Sequence, residues 1–214
     1  MRLQEQLDAF KAEFARTAPV GRPALYDSKI EELRANFAAE NAIGVDDQAS
    51  DFTLPDPEGR PVSLKNILKT GPIVITFYRG GWCPYCNIQL RAYQAILPAL
   101  GARLVVISPQ LPDGSLSTTE ANSLTFDVLS DVGNVVARSY GLVWSLPEEL
   151  RAALRSNNKA LPEINGDESW ELPVPATYVI ARDGRVVLAA IEVDYRKRVE
   201  PDAILMALKS LKSR

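Results

Sequence analysis

Apolar positions along the chain follow two different periods. Leu3, Leu7, Phe10 and Phe14 recur at helical spacing and put one apolar stripe on a first helix. Thr17, Pro19, Gly21 and Pro23 then interrupt the pattern. The spacing predicts a second helix from Ser28, where Ser28 and Glu31 make a capping box and Ile30, Leu33 and Phe37 carry the stripe to an end near Asn41 to Gly44. From Ala49 the pattern changes to strands. Phe52-Thr53-Leu54 ahead of Pro55-Asp56-Pro57-Glu58-Gly59 reads as a short strand and a turn. Ile73 to Tyr78 is an unbroken β-branched and aromatic run, the pattern of a strand buried on both faces. Leu90, Tyr93 and Ile96 return to helical spacing, and Leu104 to Ser108 is a second buried strand. The polar stretch from Pro109 to Asn122 reads as a loop. Phe126 to Leu129 is a third strand, followed by a short helix over Val135 to Tyr140 and another opened by Pro147. Ser156 to Glu171 is polar and irregular. Thr177 to Ala181 and Val186 to Val193 flank the turn Arg182-Asp183-Gly184-Arg185 as a hairpin. A closing helix over Pro201 to Leu211 has Ile204, Leu205, Leu208 and Leu211 on one face.

Strand–helix–strand followed by a hairpin and a last helix predicts an α/β sandwich with a mixed sheet. The two leading helices form an addition to it, so the expected division is a helical extension over residues 1–46 and an α/β domain over 47–214.

Composition narrows the chemistry. The formal charge is −3 with no basic cluster, which argues against nucleic acid as partner. The 214 residues contain no histidine, which removes Ser-His-Asp and Cys-His catalysis and histidine metal ligation together. The only cysteines are Cys83 and Cys86, so sulfur chemistry is confined to one local motif. The charged start, Met1-Arg2-Leu3-Gln4-Glu5-Gln6, does not read as a secretory signal, and the apolar runs are too short to span a bilayer. The expectation is a cytoplasmic protein with no membrane partner.

The motif Gly80-Gly81-Trp82-Cys83-Pro84-Tyr85-Cys86 follows directly on the first buried strand. A strand-to-helix junction there places Cys83 at the N-cap, Pro84 at the first helical position and Cys86 at the third. Free first-turn N–H groups and the positive end of the helix dipole lower the pKa of such a thiol, and the thiolate is the reactive form. Trp82 and Tyr85 shield the site, and Arg79 adds positive charge, unless it is a solvated loop arginine. The alternative is an inert buried pair, disfavoured by the proline between two cysteines at such a junction. One CxxC offers too few ligands for zinc or an iron–sulfur cluster, so no metal or cofactor is expected. Asp194-Tyr195-Arg196-Lys197-Arg198 reads first as a salt-bridged surface connection and second as a source of Arg196 or Arg198 for the site. Trp144 and Trp170 read as packing residues.

The segment Phe77-Tyr78-Arg79-Gly80-Gly81-Trp82-Cys83-Pro84-Tyr85-Cys86 resembles the active-site segment of peroxiredoxins of the alkyl hydroperoxide reductase/thiol-specific antioxidant group. Asp51-Phe52-Thr53-Leu54, Val105-Val106-Ile107-Ser108, Leu129-Ser130-Asp131 with Tyr140-Gly141, and Thr177-Tyr178-Val179-Ile180 fall in the same order as in that family. The resemblance covers residues 47–212 and implies a thioredoxin-like three-layer sandwich and thiol-based reduction of peroxides. It places Cys86 at the family's peroxidatic position. Arg79 stands where the family motif has proline, Cys83 where it has Thr or Ser, and Pro175 close to where it has arginine. Leu172-Pro173-Val174-Pro175-Ala176-Thr177 instead resembles the cis-proline loop of thioredoxins, which implies a cis bond before Pro175 opposite the dithiol; the alternative is a trans proline in a simple strand-entry turn. Two mechanisms follow from the resemblance. As a peroxidase, Cys86 attacks hydrogen peroxide or an organic hydroperoxide and Cys83 resolves the sulfenic acid, with thioredoxin, glutaredoxin or glutathione as donor. As a thiol-disulfide oxidoreductase, Cys83 attacks a disulfide substrate and Cys86 resolves. The apolar stripes of the N-terminal helices either cover the core or form a homodimer interface, and a third class is a protein whose dithiol only senses redox state and switches partners.

Overall fold

The computed structural model describes residues 2–212. Helix α1 (Leu3–Thr17) buries Leu3 and Leu7 from its apolar stripe. Helix α2 (Arg22–Asn36) starts at Arg22 rather than at Ser28. Gly21 precedes it in the left-handed region at φ 80°, and Pro23 occupies the first turn, where its missing N–H costs nothing. No apolar stripe announces these first turns, because polar ties dock them. Arg22 donates to the Ala153 carbonyl at 2.9 Å, Asp27 pairs with Arg196 at 2.5 Å and Lys29 with Glu149 at 2.8 Å. The helix stops at Asn36, ahead of a separate 3-10 turn over Ala39–Asn41.

A small antiparallel pair, β1 (Thr53–Pro55) and β2 (Pro61–Ser63), leads through α3 (Leu64–Leu68) to β3 (Ile73–Phe77). Helix α4 (Pro84–Leu100) and β4 (Arg103–Ser108) follow. The stretch read as a loop contains α5 (Pro112–Ala121). Its hydroxyl-rich sequence hides the helix. Ser117, Thr118 and Thr119 each satisfy their hydroxyl on the carbonyl four residues back, so polar residues sit in a helix without competing with it. Next come β5 (Asp127–Ser130), α6 (Val135–Ser139), β6 (Val143–Ser145) and α7 (Glu148–Arg155). The region expected to be irregular holds α8 (Leu161–Asn165) and reaches β7 (Glu171–Pro173), which pairs with β6. The hairpin β8 (Ala176–Ile180) and β9 (Val186–Ile191) precedes α9 (Pro201–Lys212).

The central sheet has the order β5-β4-β3-β8-β9. β3 runs parallel to β4, and β4 to β5, whereas β8 is antiparallel to both β3 and β9. Period-2 alternation divides the strand residues between two cores. Ile73, Ile75, Phe77, Ile107 and Tyr178 pack with α3 and α6. Val74, Val106 and Val179 pack on the other face with α4, α9 and, through Leu3 and Leu7, α1. All five residues of β3 are buried, as expected of a strand covered on both faces. The result is a three-layer α/β sandwich with a mixed sheet. The dithiol lies beyond the carboxyl end of β3, the usual position for a site in an open α/β sheet.

Candidate active site

Strand β3 ends at Phe77, and the chain needs Gly80 to enter the helix. Gly80 has φ +140°, and a Cβ there would collide with the indole nitrogen of Trp82. The Gly81 N–H donates to the Gln110 side-chain oxygen, which fixes the turn from the β4 side. Cys83 is then the N-cap of α4, Pro84 opens the helix and Cys86 sits in its first turn. The Cys83 carbonyl accepts the Asn87 N–H at 3.2 Å.

Both sulfurs are buried, Cys83 at 1% exposure and Cys86 at 0%. Each has its own guanidinium. Arg79 Nη1 lies 3.8 Å from Cys83 Sγ, and Arg198 Nη2 lies 3.6 Å from Cys86 Sγ. Burial opposes ionisation of Cys83, but the hydrogen bond from Cys86 and the charges of Arg79 and Arg198 outweigh it, and the pKa falls to about 5. Cys86 moves the opposite way. Burial, its hydrogen bond to Cys83 and the negative charge there hold its proton on, against the pull of Arg198 and Arg79. Within the pair the surroundings favour a thiolate on Cys83 and disfavour one on Cys86.

Arg79 is not a solvated loop residue. It is 8% exposed, and its guanidinium carbon stands 4.0 Å from the Tyr195 ring centroid and 4.9 Å from that of Trp82. Its Nε is buried without a partner, as is Trp82 Nε1. Tyr85 stands between Phe10 of α1 and Tyr195, with edge-on ring contacts at 5.0 and 5.5 Å.

Cys83 opens onto a cavity of about 130 Å³. Phe10 and Phe14 of α1 and Ile30 of α2 form one wall; Trp82, Leu150 and Val174 form part of the other. Pro175 lines the same cavity, as the sequence placed it, but no peptide bond among the described residues is cis, its own included. Val174 donates to the Leu142 carbonyl at 2.8 Å and the Pro175 carbonyl accepts from Glu192 at 2.9 Å, so the segment continues the ladder into β8. Thr177 does not reach the cavity. Its hydroxyl is 3.1 Å from that of Thr76 and 3.5 Å from the Gln89 amide, in a buried polar cluster behind Cys86.

The 194–198 cluster divides. Arg196 makes the salt-bridged connection, to Asp194 at 2.8 Å and Asp27 at 2.5 Å, whereas Arg198 turns inward to Cys86. Gln89, one turn beyond Cys86, receives Arg198 Nε at 2.8 Å and is invisible as a site residue in the sequence. Helical spacing from Cys86 is the one signal that points to it. Trp170 packs with Leu146, Leu150 and Leu161, and Trp144 sits against that cluster. Among the described residues no group of three His, Cys, Asp or Glu side chains is placed to hold a metal, and no helix is long and apolar enough to cross a membrane.

The sequence pattern of the AhpC/TSA family matches residues 45–189. The chain is 31% identical over 168 residues to the chloroplastic peroxiredoxin Q of Sedum lineare, covering 75% of each protein. Its fold superposes on peroxidoxin BcpB of Mycobacterium tuberculosis with a TM-score of 0.61 at 22% identity, covering 79% of this chain and 98% of the other. The reduced 2-Cys peroxiredoxin of Plasmodium vivax gives 0.60 at 16% identity, over 80% and 98%. The family match spans β3, the dithiol turn and β8, the elements that frame the two sulfurs, and the chain belongs to the AhpC/TSA family, a thiol peroxidase/oxidoreductase with the thioredoxin-like fold of the peroxiredoxins.

Proposed function

We propose that this enzyme reduces small apolar organic hydroperoxides through a Cys83–Cys86 dithiol/disulfide cycle in which Cys83 attacks first. The observation that carries this reading is that the low-pKa sulfur is the one that opens onto the apolar cavity. A void of that order, about 150 Å³ in a well-studied engineered case, takes a ligand the size of benzene. The Cys83 thiolate attacks one peroxide oxygen, the O–O bond breaks, and the alkoxide leaves and takes up a proton. Arg79 faces the developing negative charge. Cys83 is then a sulfenic acid. Cys86 attacks its sulfur, water leaves, and the disulfide forms. A thiol donor of the thioredoxin, glutaredoxin or glutathione kind returns two electrons.

This order reverses the one the family motif implies for Cys86. The reason is local: Thr or Ser at the position of Cys83 cannot ionise, whereas a thiol at a helix N-cap beside Arg79 does. The same low-pKa N-cap thiol also suits attack on a disulfide, which keeps thiol-disulfide exchange as the second reading.

The test is stopped-flow mixing of reduced enzyme with tert-butyl hydroperoxide, with the sulfenate trapped and located by mass spectrometry. Cys83→Ser is expected to lose the fast phase. Cys86→Ser is expected to keep it and to accumulate sulfenate on Cys83. A fast phase surviving in Cys83→Ser, with sulfenate on Cys86, overturns the order. A peroxide rate no faster than a free thiol's, beside rapid reduction of insulin disulfides, makes exchange the function.

A further inference from the structure

The guanidinium next to Cys86 is held in place from several directions. Arg198 is 7% exposed. Its Nη2 approaches Cys86 Sγ at 3.6 Å, its Nε donates to Gln89 Oε1 at 2.8 Å and its Nη1 to the Lys197 carbonyl at 2.7 Å. Gln89 is braced in turn by donating to the Tyr93 hydroxyl at 3.0 Å, and that hydroxyl donates to the Val199 carbonyl at 3.1 Å. None of the hydrogen-bond partners of Arg198 among the described residues is a carboxylate. Its charge is therefore not neutralised by a hydrogen-bonded anion, and it is aimed at a sulfur. Nor can the chain shift freely around it: Arg196 ties to Asp27 of α2, and the Glu200 carboxylate accepts the Leu3 and Gln4 N–H groups of α1 at 3.1 and 2.9 Å.

We infer that Arg198 is the catalytic residue of the second half-reaction, holding Cys86 as a thiolate while it attacks the Cys83 sulfenic acid. The inference rests on the order of attack proposed above. In the reduced pair, burial and negative charge on Cys83 both oppose ionisation of Cys86. Oxidation of Cys83 to a neutral sulfenic acid removes that anion. The repulsion from that charge is then gone, and Arg198 acts at contact distance against the burial that still opposes ionisation of Cys86. Cys86 releases its proton on ionising, its thiolate attacks the Cys83 sulfur, the S–S bond forms as the S–O bond breaks, and the departing hydroxide takes up one proton and leaves as water. Arg79 contacts the sulfur of the first step, and Arg198, whose charge also reaches Cys83, contacts the sulfur of the second.

The experiment compares wild type, Arg198→Met and Arg198→Lys in stopped-flow with tert-butyl hydroperoxide. Sulfenate formation and disulfide formation are read as separate phases, the sulfenate is located by mass spectrometry, and the second phase is followed against pH. Arg198→Met is expected to slow disulfide formation at least about tenfold more than sulfenate formation, about 1.4 kcal/mol of barrier. Its pH midpoint should move upward, and Arg198→Lys should recover part of both changes. Gln89→Met, which keeps the guanidinium but removes its brace, should give a smaller change of the same kind and serves if Arg198→Met does not fold. Equal slowing of both phases, or an unchanged second phase and midpoint, with sulfenate on Cys83, overturns the role of Arg198 alone. Sulfenate on Cys86 in the wild type overturns the order of attack itself.

Discussion

Cys83 is pulled down to about 5 from an ordinary 9.0 although burial pushes it up, so its ionisation is set by what surrounds it. The expected consequence is a thiolate whose ultraviolet absorbance appears with a midpoint near 5 in the reduced protein and is missing from Cys83→Ser. Stability follows the same linkage. A thiol whose folded pKa lies below its unfolded one stabilises the fold above the unfolded value and loses that contribution as pH falls through the folded one. Denaturant melts of the reduced protein should therefore weaken between pH 9.0 and about 5, with a shallower slope in Cys83→Ser. Much of this was legible in the motif, because N-cap placement, Pro84 and a nearby Arg79 are all local. Arg198 was legible only as one of two arginines in a charged run. Which of the two turns inward depends on Asp27 and Asp194 engaging Arg196, and Asp27 is far away in sequence.

Among the elements, α4 and the pair α1–α2 shape the site in different ways. Helix α4 provides its N-terminus, and that role follows from sequence order alone. The two leading helices build a wall of the cavity, with Phe10 edge-on to Tyr85 and Phe14 stacked on Tyr26 at 5.7 Å. Leu7, at 0% exposure, anchors α1 in the core it shares with α4. Leu7→Ala is expected to cost about 2–5 kcal/mol in a denaturant melt. It should also admit maleimides to Cys83 that are too bulky for the cavity walled by α1; unchanged labelling would mean that α1 does not control access. The apolar stripe of α1 was plain in the sequence. The start of α2 was not, because its first turns are held by ion pairs and a carbonyl contact that leave no periodic trace.

At the scale of the whole molecule, the sheet joins segments that are remote in the chain. β3 lies between β4 and β8, which brings Pro175 to the cavity and Thr177 behind Cys86. Gly141 marks a close approach of the same kind. It has φ +71°, and a Cβ there would strike the backbone of Asn41 and Ala42. Gly141→Ala is expected to cost about 1–3 kcal/mol or more, since backbone has to move as well as strain; a melt within a few tenths of wild type would contradict this packing. The sequence by itself determined the alternation of strands and helices, the two-sided burial of β3 and the placing of both cysteines at one helix N-terminus, because these depend on residues close together in the chain. Only the tertiary structure decided that the bond before Pro175 is trans, that Arg198 rather than Arg196 faces Cys86, and that the N-terminal helices form one wall of an apolar cavity at Cys83. Each of those depends on backbone ladders, ion pairs or apolar contacts between distant segments, which local periodicity does not encode.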